Sequence, residues 1–254
     1  VLGVGAIAGT YLTSRAPALP EPTGQAAGPE YREATLAIKP SPAVAPPQEN
    51  VPWTSCLEGQ TGRNLADLDL VIAIDTTASM GGVIGDVKAR VSQLLASLKA
   101  GGGTVRVGLV AYRDYGDAYV VRSFPLSPLS DPATGAGLAA FIGGLSAAGG
   151  GDWPEAMASA LDAATSMNWR GNVPASIVVI ADAPPHPNEA QTANSLAQNF
   201  RSKIPGSQLS LIDTGSGGNA MMRNLPKYGG GQYVTYDGHI LNSLLPAITG
   251  CKSH

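Results

Sequence analysis

Asp75, Thr77 and Ser79 stand at alternate positions of the stretch LDLVIAIDTTASM, residues 68–80. One carboxylate and two hydroxyls at this spacing are hard oxygen donors, suited to Mg²⁺, Ca²⁺ or Mn²⁺ and not to softer metals. The apolar, β-branched run before them, Leu68 to Ile74, predicts a strand buried on both faces. The three oxygens then lie in the loop leaving the C-terminal end of a strand, where open α/β sheets bind their ligands. A competing reading gives Thr77 or Ser79 to the cap of the next helix and leaves Asp75 merely closing the strand. Two further loops carry acids in comparable places. GGGDWPEA, residues 149–156, puts Asp152 just before a predicted helix, and ADAPPH, residues 181–186, puts Asp182 just after a predicted strand.

The elements that must hold these loops alternate along the chain. Val83 to Ala100 has apolar residues at Val83, Ile84, Val87, Val91, Leu94, Leu95 and Leu98, which is helical spacing with charges opposite. Strands are predicted at Val105–Tyr112 and Ala118–Phe124, joined by a YGD turn, and a weak helix at Asp131–Leu145. A helix over Pro154–Met167 has Pro at its first position. A buried strand at Ala175–Ile180 and a helix near Glu189–Phe200 follow. Short strands at Leu209–Ile212 and Tyr233–Tyr236 and a closing helix at Ile240–Ile248 complete the pattern. Such alternation predicts a mostly parallel sheet covered by helices on both faces.

The chain has 254 residues, enough for one such domain and an extension. A formal net charge of −3 gives no electrostatic case for nucleic acid. Cys56 and Cys251 bracket the predicted domain, which suits a disulfide joining its ends and an oxidising compartment; two separate thiols are the alternative. Ahead of the domain, VLGVGAIAGTYL is apolar and uncharged. Twelve helical residues reach only about 18 Å, short of a hydrocarbon core of about 30 Å. Residues 1–15 are therefore expected to be the end of a longer membrane anchor, in preference to a cleaved signal. Gly5 and Gly9 would form a G-x-x-x-G face for a neighbouring membrane helix. Residues 16–55, rich in Pro and Ala, predict a semi-extended linker, and residues 56–254 the domain proper.

DTTASM, VGLVAYRDYGD, GGGDWPEA, NWR and ADAPPH occur in that order over residues 65–250. Together they resemble the von Willebrand factor type A (vWA) domain, in the subgroup found in α-kinase-associated, hemicentin-like and bacterial surface proteins. The resemblance implies a Rossmann-like α/β fold, a mostly parallel sheet with one antiparallel edge strand and helices on both faces. It also implies a metal-ion-dependent adhesion site (MIDAS) for a divalent cation, Mg²⁺ first, with Ca²⁺ or Mn²⁺ as alternatives. Asp75, Thr77 and Ser79 would be its first-loop ligands and Asp182 its third-loop ligand, directly or through water. The second loop departs from the integrin-like pattern, where a Thr is usual; Asp152 is the expected match, with a helix-stabilising role as its alternative. An extra carboxylate there would weaken attraction for an acidic partner.

Trp153 would contact a partner if exposed and would be packing if buried. Arg113 and Asp114 read as a structural ion pair or loop brace, His186 as an exposed loop residue, and Trp169 and Arg170 as structural. No catalytic residues are expected, because G-x-S-x-G, H-E-x-x-H and P-loop patterns do not occur. The leading functional expectation is a membrane-tethered extracytoplasmic module, in the periplasm or at the cell surface, that binds a protein partner through its metal. The alternative is a structural or accessory subunit of a membrane protein complex, held by its anchor and linker, with the metal secondary.

Overall fold

The computed structural model describes residues 67–100 and 103–250. The predicted anchor with Gly5 and Gly9, the linker, and both Cys56 and Cys251 lie outside the described residues. Six strands form one sheet: β1 (Asp69–Asp75), β2 (Arg106–Tyr112), β3 (Val121–Pro128), β4 (Ala175–Ala181), β5 (Gln208–Asp213) and β6 (Gly230–Thr235), in the order β3-β2-β1-β4-β5-β6. All neighbours run parallel except β2 and β3. Six helices connect them: α1 (Gly81–Ala100), α2 (Pro132–Gly143), α3 (Met157–Thr165), α4 (Ala190–Lys203), α5 (Ala220–Gly229) and α6 (Ile240–Thr249). The expected fold class is the one observed.

β1 and β4 are buried along their whole length, because each is central and helices cover both faces. Alternate residues feed two cores. Leu70, Ile72 and Ile74 pack with Val87, Val91 and Leu94 of α1 and with Leu244 and Ile248 of α6. Val71 and Ala73 pack on the other face with Leu161 of α3 and Phe200 of α4, and Trp169 stacks edge-on to Phe200 at 4.8 Å between ring centroids.

At the N-terminal end of β1, Asp69 is fully buried between two arginines. It accepts hydrogen bonds from Arg106 Nε, Arg170 Nε and the Arg170 backbone, each at 2.9 Å. Burial opposes its charge, but the bonds from Arg106 and Arg170 hold its pKa below the usual carboxylate value. Arg170 also donates to the backbone oxygens of Leu68 and Thr104, so NWR is a clamp at the sheet end away from the candidate ligands.

Several boundaries differ from the sequence expectation. β3 lies three residues later than expected and carries Pro125 and Pro128; as an edge strand it tolerates residues without an N–H. α3 begins at Met157 and not at Pro154, because Glu155 bridges to Pro185 instead of entering the helix. α5 is a helix where none was expected, capped by the Asn219 side chain on the N–H groups of Met221 and Met222. β6 begins at Gly230, which is left-handed at φ 71°. A Cβ at Gly231 would stand 2.2 Å from the backbone oxygen of Leu209, which the neighbouring strand fixes. Gly231→Ala is therefore expected to cost about 1–3 kcal/mol in urea unfolding, with β5–β6 pairing lost first in hydrogen exchange.

Candidate functional site

The order of strands reverses between β1 and β4, so the crevice beyond their C-terminal ends is the topological switch point of the sheet. Asp75 closes β1 there, and the next four residues separate by side. Thr76 turns toward β2, its hydroxyl donating to the Tyr112 carbonyl at 2.7 Å and meeting the Tyr119 hydroxyl at 2.7 Å. Thr77 turns the other way: its backbone N–H and its hydroxyl donate to Asp75 Oδ1 at 2.9 and 2.7 Å. The Ser79 hydroxyl is 3.3 Å from that of Thr77. Asp75, Thr77 and Ser79 thus form one line of oxygens, as their alternation predicts. Thr77 makes no capping bond to the short 3-10 turn Ala78–Met80.

The second loop lies directly against the first. Ala148 N donates to the Thr76 carbonyl at 3.1 Å, and Ala78 N to the Gly149 carbonyl at 3.2 Å. Gly150 crosses at φ 75°; a Cβ there would come within 2.9 Å of Glu155 Oε1 and 3.0 Å of Thr77 Cβ. Only glycine fits this crossing, and it seats the Glu155 carboxyl beside Thr77. Glu155 is also tied to the third loop: its backbone N–H donates to the Pro184 carbonyl at 3.0 Å. Its side chain is buried even though it is an acid. Asp152, by contrast, is exposed.

Asp182 follows β4, half-buried, across the crevice from Asp75. His186 is not a free loop residue. Its Nε2 pairs with Asp114 Oδ1 at 2.6 Å, and its ring lies 5.5 Å from that of Tyr115. The Tyr115 hydroxyl donates to Glu189 at 2.6 Å. Asp114 and His186 therefore lock the β2–β3 loop to the third loop. Arg113 braces differently, donating to the Ser146 carbonyl at 2.8 Å with its guanidinium 4.5 Å over the Tyr119 ring. Trp153 is 58% exposed, which rules out the packing reading. With Asp182, Asp213, Gly215 and Met222 it lines an open cleft of about 350 Å³.

The electrostatics of this end are unusual for a packed domain. Asp75 Oδ2, Glu155 Oε2, Asp182 Oδ1 and the Tyr112 phenol are buried without hydrogen-bond partners. Burial raises the Asp75 pKa to about 7 against its bonds from Thr77, with Asp182 and Asp114 adding repulsion. Burial and the charges of Asp75, Asp114, Asp117 and Asp182 raise Glu155 to about 8. Burial likewise pushes the Tyr112 phenol upward, reinforced by Asp75, Glu155 and Asp182. Unpaired buried carboxylates cost several kcal/mol, so this arrangement calls for a cation or for protons. Among the described residues, no three His, Cys, Asp or Glu side chains converge as a complete ligand set. The donors that do gather are the Asp75–Thr77–Ser79 line, with the unpartnered oxygens of Asp75 and Asp182, and that all-oxygen chemistry fits a hard divalent cation.

Sequence periodicity did not reveal Glu155. An acid inside the apolar run Pro154–Met157 was its one signal, and Asp152 in the same loop drew the attention.

Residues 69–231 match the von Willebrand factor type A domain family. Over 124 residues, 48% of the chain, it is 32% identical to a putative ariadne-like RING finger protein of Acanthamoeba polyphaga mimivirus. Over the same length and share it is 30% identical to the alpha-protein kinase vwkA of Dictyostelium discoideum. The matches span 12% and 19% of those proteins, so the chain corresponds to a small part of each. Among solved structures, the von Willebrand factor type A protein from Catenulispora acidiphila superposes with a TM-score of 0.55 at 17% identity, covering 72% of this chain and 42% of that one. The pilus adhesin SpaC from Lactobacillus rhamnosus GG, in its open conformation, gives a TM-score of 0.55 at 13% identity, covering 72% and 30%. These structures share the fold. Domains of the matched family mediate protein–protein binding and commonly hold a divalent cation. The sheet order, the matched residues and the first-loop oxygens agree: this chain belongs to the von Willebrand factor type A domain family.

Proposed function

We propose that this chain is a protein-binding module that engages its partner through a divalent cation held by Asp75, Thr77, Ser79 and Asp182. The observation that carries this reading is the buried, unpartnered Asp75 Oδ2, whose sister oxygen is fixed by Thr77 while the Ser79 hydroxyl stands alongside. Fixing one carboxylate oxygen and leaving the other free is how a ligand is oriented before its ion arrives. A bound Mg²⁺ would offer a Lewis-acidic position to a partner's oxygen. The protein's own part is to orient the donors, keep them dry and present Trp153 as an aromatic contact beside them.

Binding, not catalysis, is the activity assigned. The Ser79 hydroxyl lies beside Thr77 in the line of candidate ligands, and His186 pairs with Asp114 and not with a serine, which gives no nucleophile–base pair. The apolar start of the chain and its Pro-rich linker support tethering to a membrane on the extracytoplasmic side. Membrane fractionation of the full chain, with and without residues 1–50, tests the tether. Appearance of both forms in the soluble fraction would remove it.

The cation is tested by thermal melts of the full chain in Mg²⁺, Mn²⁺ or EDTA. At a hundredfold excess over Kd a bound ion stabilises by about 2.7 kcal/mol. Asp75→Asn is expected to abolish that difference, and equal melting temperatures for the wild type in all three buffers would refute the site.

A further inference from the structure

We infer that Glu155, and not Asp152, is the second-loop carboxylate of this site, and that its charge lets the site hold a cation without an acidic side chain from the partner. The inference rests on the metal reading above and deepens it. Both acids belong to GGGDWPEA, but the fold sends them to different places. Asp152 is exposed to solvent. Glu155 is 97% buried by its 3% exposure, and its Oε2 has no partner.

The surrounding loops place Glu155 against both the first and the third loop. At the Gly150 crossing, a Cβ would meet both Glu155 Oε1, at 2.9 Å, and Thr77 Cβ, at 3.0 Å, so both side chains flank this glycine. The crossing is in turn held by Asp117, whose Oδ2 accepts the Gly150 N–H at 2.9 Å. On the other side, the bridge to Pro185 and the bond to the Pro184 carbonyl fix Glu155 two to three residues beyond Asp182. Glu155 thus sits where all three loops meet, which explains why α3 cannot begin until Met157.

Its consequence follows from counting charge. Asp75 and Asp182 alone balance a divalent cation. A charged Glu155 beside them would make the surroundings of the ion net negative, and exposed or half-exposed Asp117 and Asp152 add to this. An incoming carboxylate would meet repulsion in a partly desolvated setting, where Coulomb terms are several times stronger than in water. A partner offering a neutral oxygen or a basic side chain beside Trp153 would not.

Mn²⁺ titrations of the full chain, followed by electron paramagnetic resonance, test this with Glu155→Gln and Asp152→Asn. Glu155→Gln keeps shape and removes charge; Mn²⁺ affinity is expected to fall roughly 10- to 100-fold, as when a supporting carboxylate is lost. Asp152→Asn is expected to change it less than about threefold, in keeping with a screened surface charge. In EDTA at neutral pH, Glu155→Gln should melt no lower than the wild type, whereas a merely structural carboxylate would lower the melting temperature on removal. Acetate is expected to alter the Mn²⁺ signal of Glu155→Gln and to leave that of the wild type unchanged. Wild-type affinity in Glu155→Gln, or an equal loss in Asp152→Asn, would overturn the assignment and leave the metal site standing. Acetate joining wild-type Mn²⁺ would overturn the exclusion of acidic partners. A wild type that binds no Mn²⁺ would remove the metal reading and this inference together.

Discussion

Asp69→Ala is expected to destabilise the domain by about 3–5 kcal/mol, measured by urea unfolding of the full chain. The side chain is fully buried, yet it carries a charge that Arg106 and Arg170 satisfy from both sides. Removing it leaves two guanidinium groups facing each other at the closed end of the sheet, where breaking a buried pair costs most. The loss should spread, because Arg170 links β1 to the Leu68 and Thr104 backbones as well. Binding of a cation at the opposite end of β1 should be unchanged in whatever fraction remains folded. A cost below about 1 kcal/mol would show that the pair behaves as a solvated surface bridge.

The second large effect is a dependence of stability on pH that the divalent cation controls. Asp75 and Glu155 have folded pKa values raised to about 7 and about 8. The unfolded chain releases these protons near pH 4, so between about pH 5 and 8 the folded state binds more protons than the unfolded one. Their contribution to stability is therefore complete below about pH 4 and is lost as pH rises through 7 and 8. Each group adds a slope of up to roughly 1.4 kcal/mol per pH unit within its window. In EDTA the melting temperature should fall from pH 5.5 to pH 8, a range in which Asp69 and Asp114, whose pKa values are lowered, add no slope because folded and unfolded states have both lost those protons. Adding Mg²⁺ should raise the melting temperature much more at pH 8 than at pH 5.5, because the cation replaces the protons. The double variant Asp75→Asn, Glu155→Gln should be nearly flat in EDTA over the same range. A double variant with the wild-type slope would place the titration elsewhere.

Much of this architecture was legible in the sequence because it rests on local signals. The run from Leu68 to Ile74 has no polar interruption, and central parallel strands need none. Asp75, Thr77 and Ser79 could be placed because a strand end and a period of two determine where their side chains go. What escaped depended on contacts between distant loops. Glu155 falls inside the helix expected over Pro154–Met167, and its bridge to Pro185 takes it out of α3. His186 and Asp114 lie 72 residues apart and meet through the fold, which loop composition does not foretell. α5 was missed because Pro226 and Gly229 interrupt its pattern, while Asn219 supplies the cap that starts it. The strand expected at Ala118–Phe124 lies at Val121–Pro128, where an edge position makes Pro125 and Pro128 harmless.

Those prolines have a wider consequence. A sheet with two open margins invites other chains to add a strand, whether as a specific mode of recognition or as runaway aggregation. At one margin β3 lacks two amide donors, at Pro125 and Pro128, and its register with β2 shifts between Val107 and Leu109. At the other, β6 starts on a left-handed glycine and its register with β5 is broken between Leu209 and Leu211. Neither margin presents an even ladder to an incoming peptide backbone. Copies of this domain crowded together on a surface or along a fibre would then stay separate molecules instead of zipping sheet to sheet. Under the proposed function, recognition then falls to side chains at the loop-bearing end, where it can be specific.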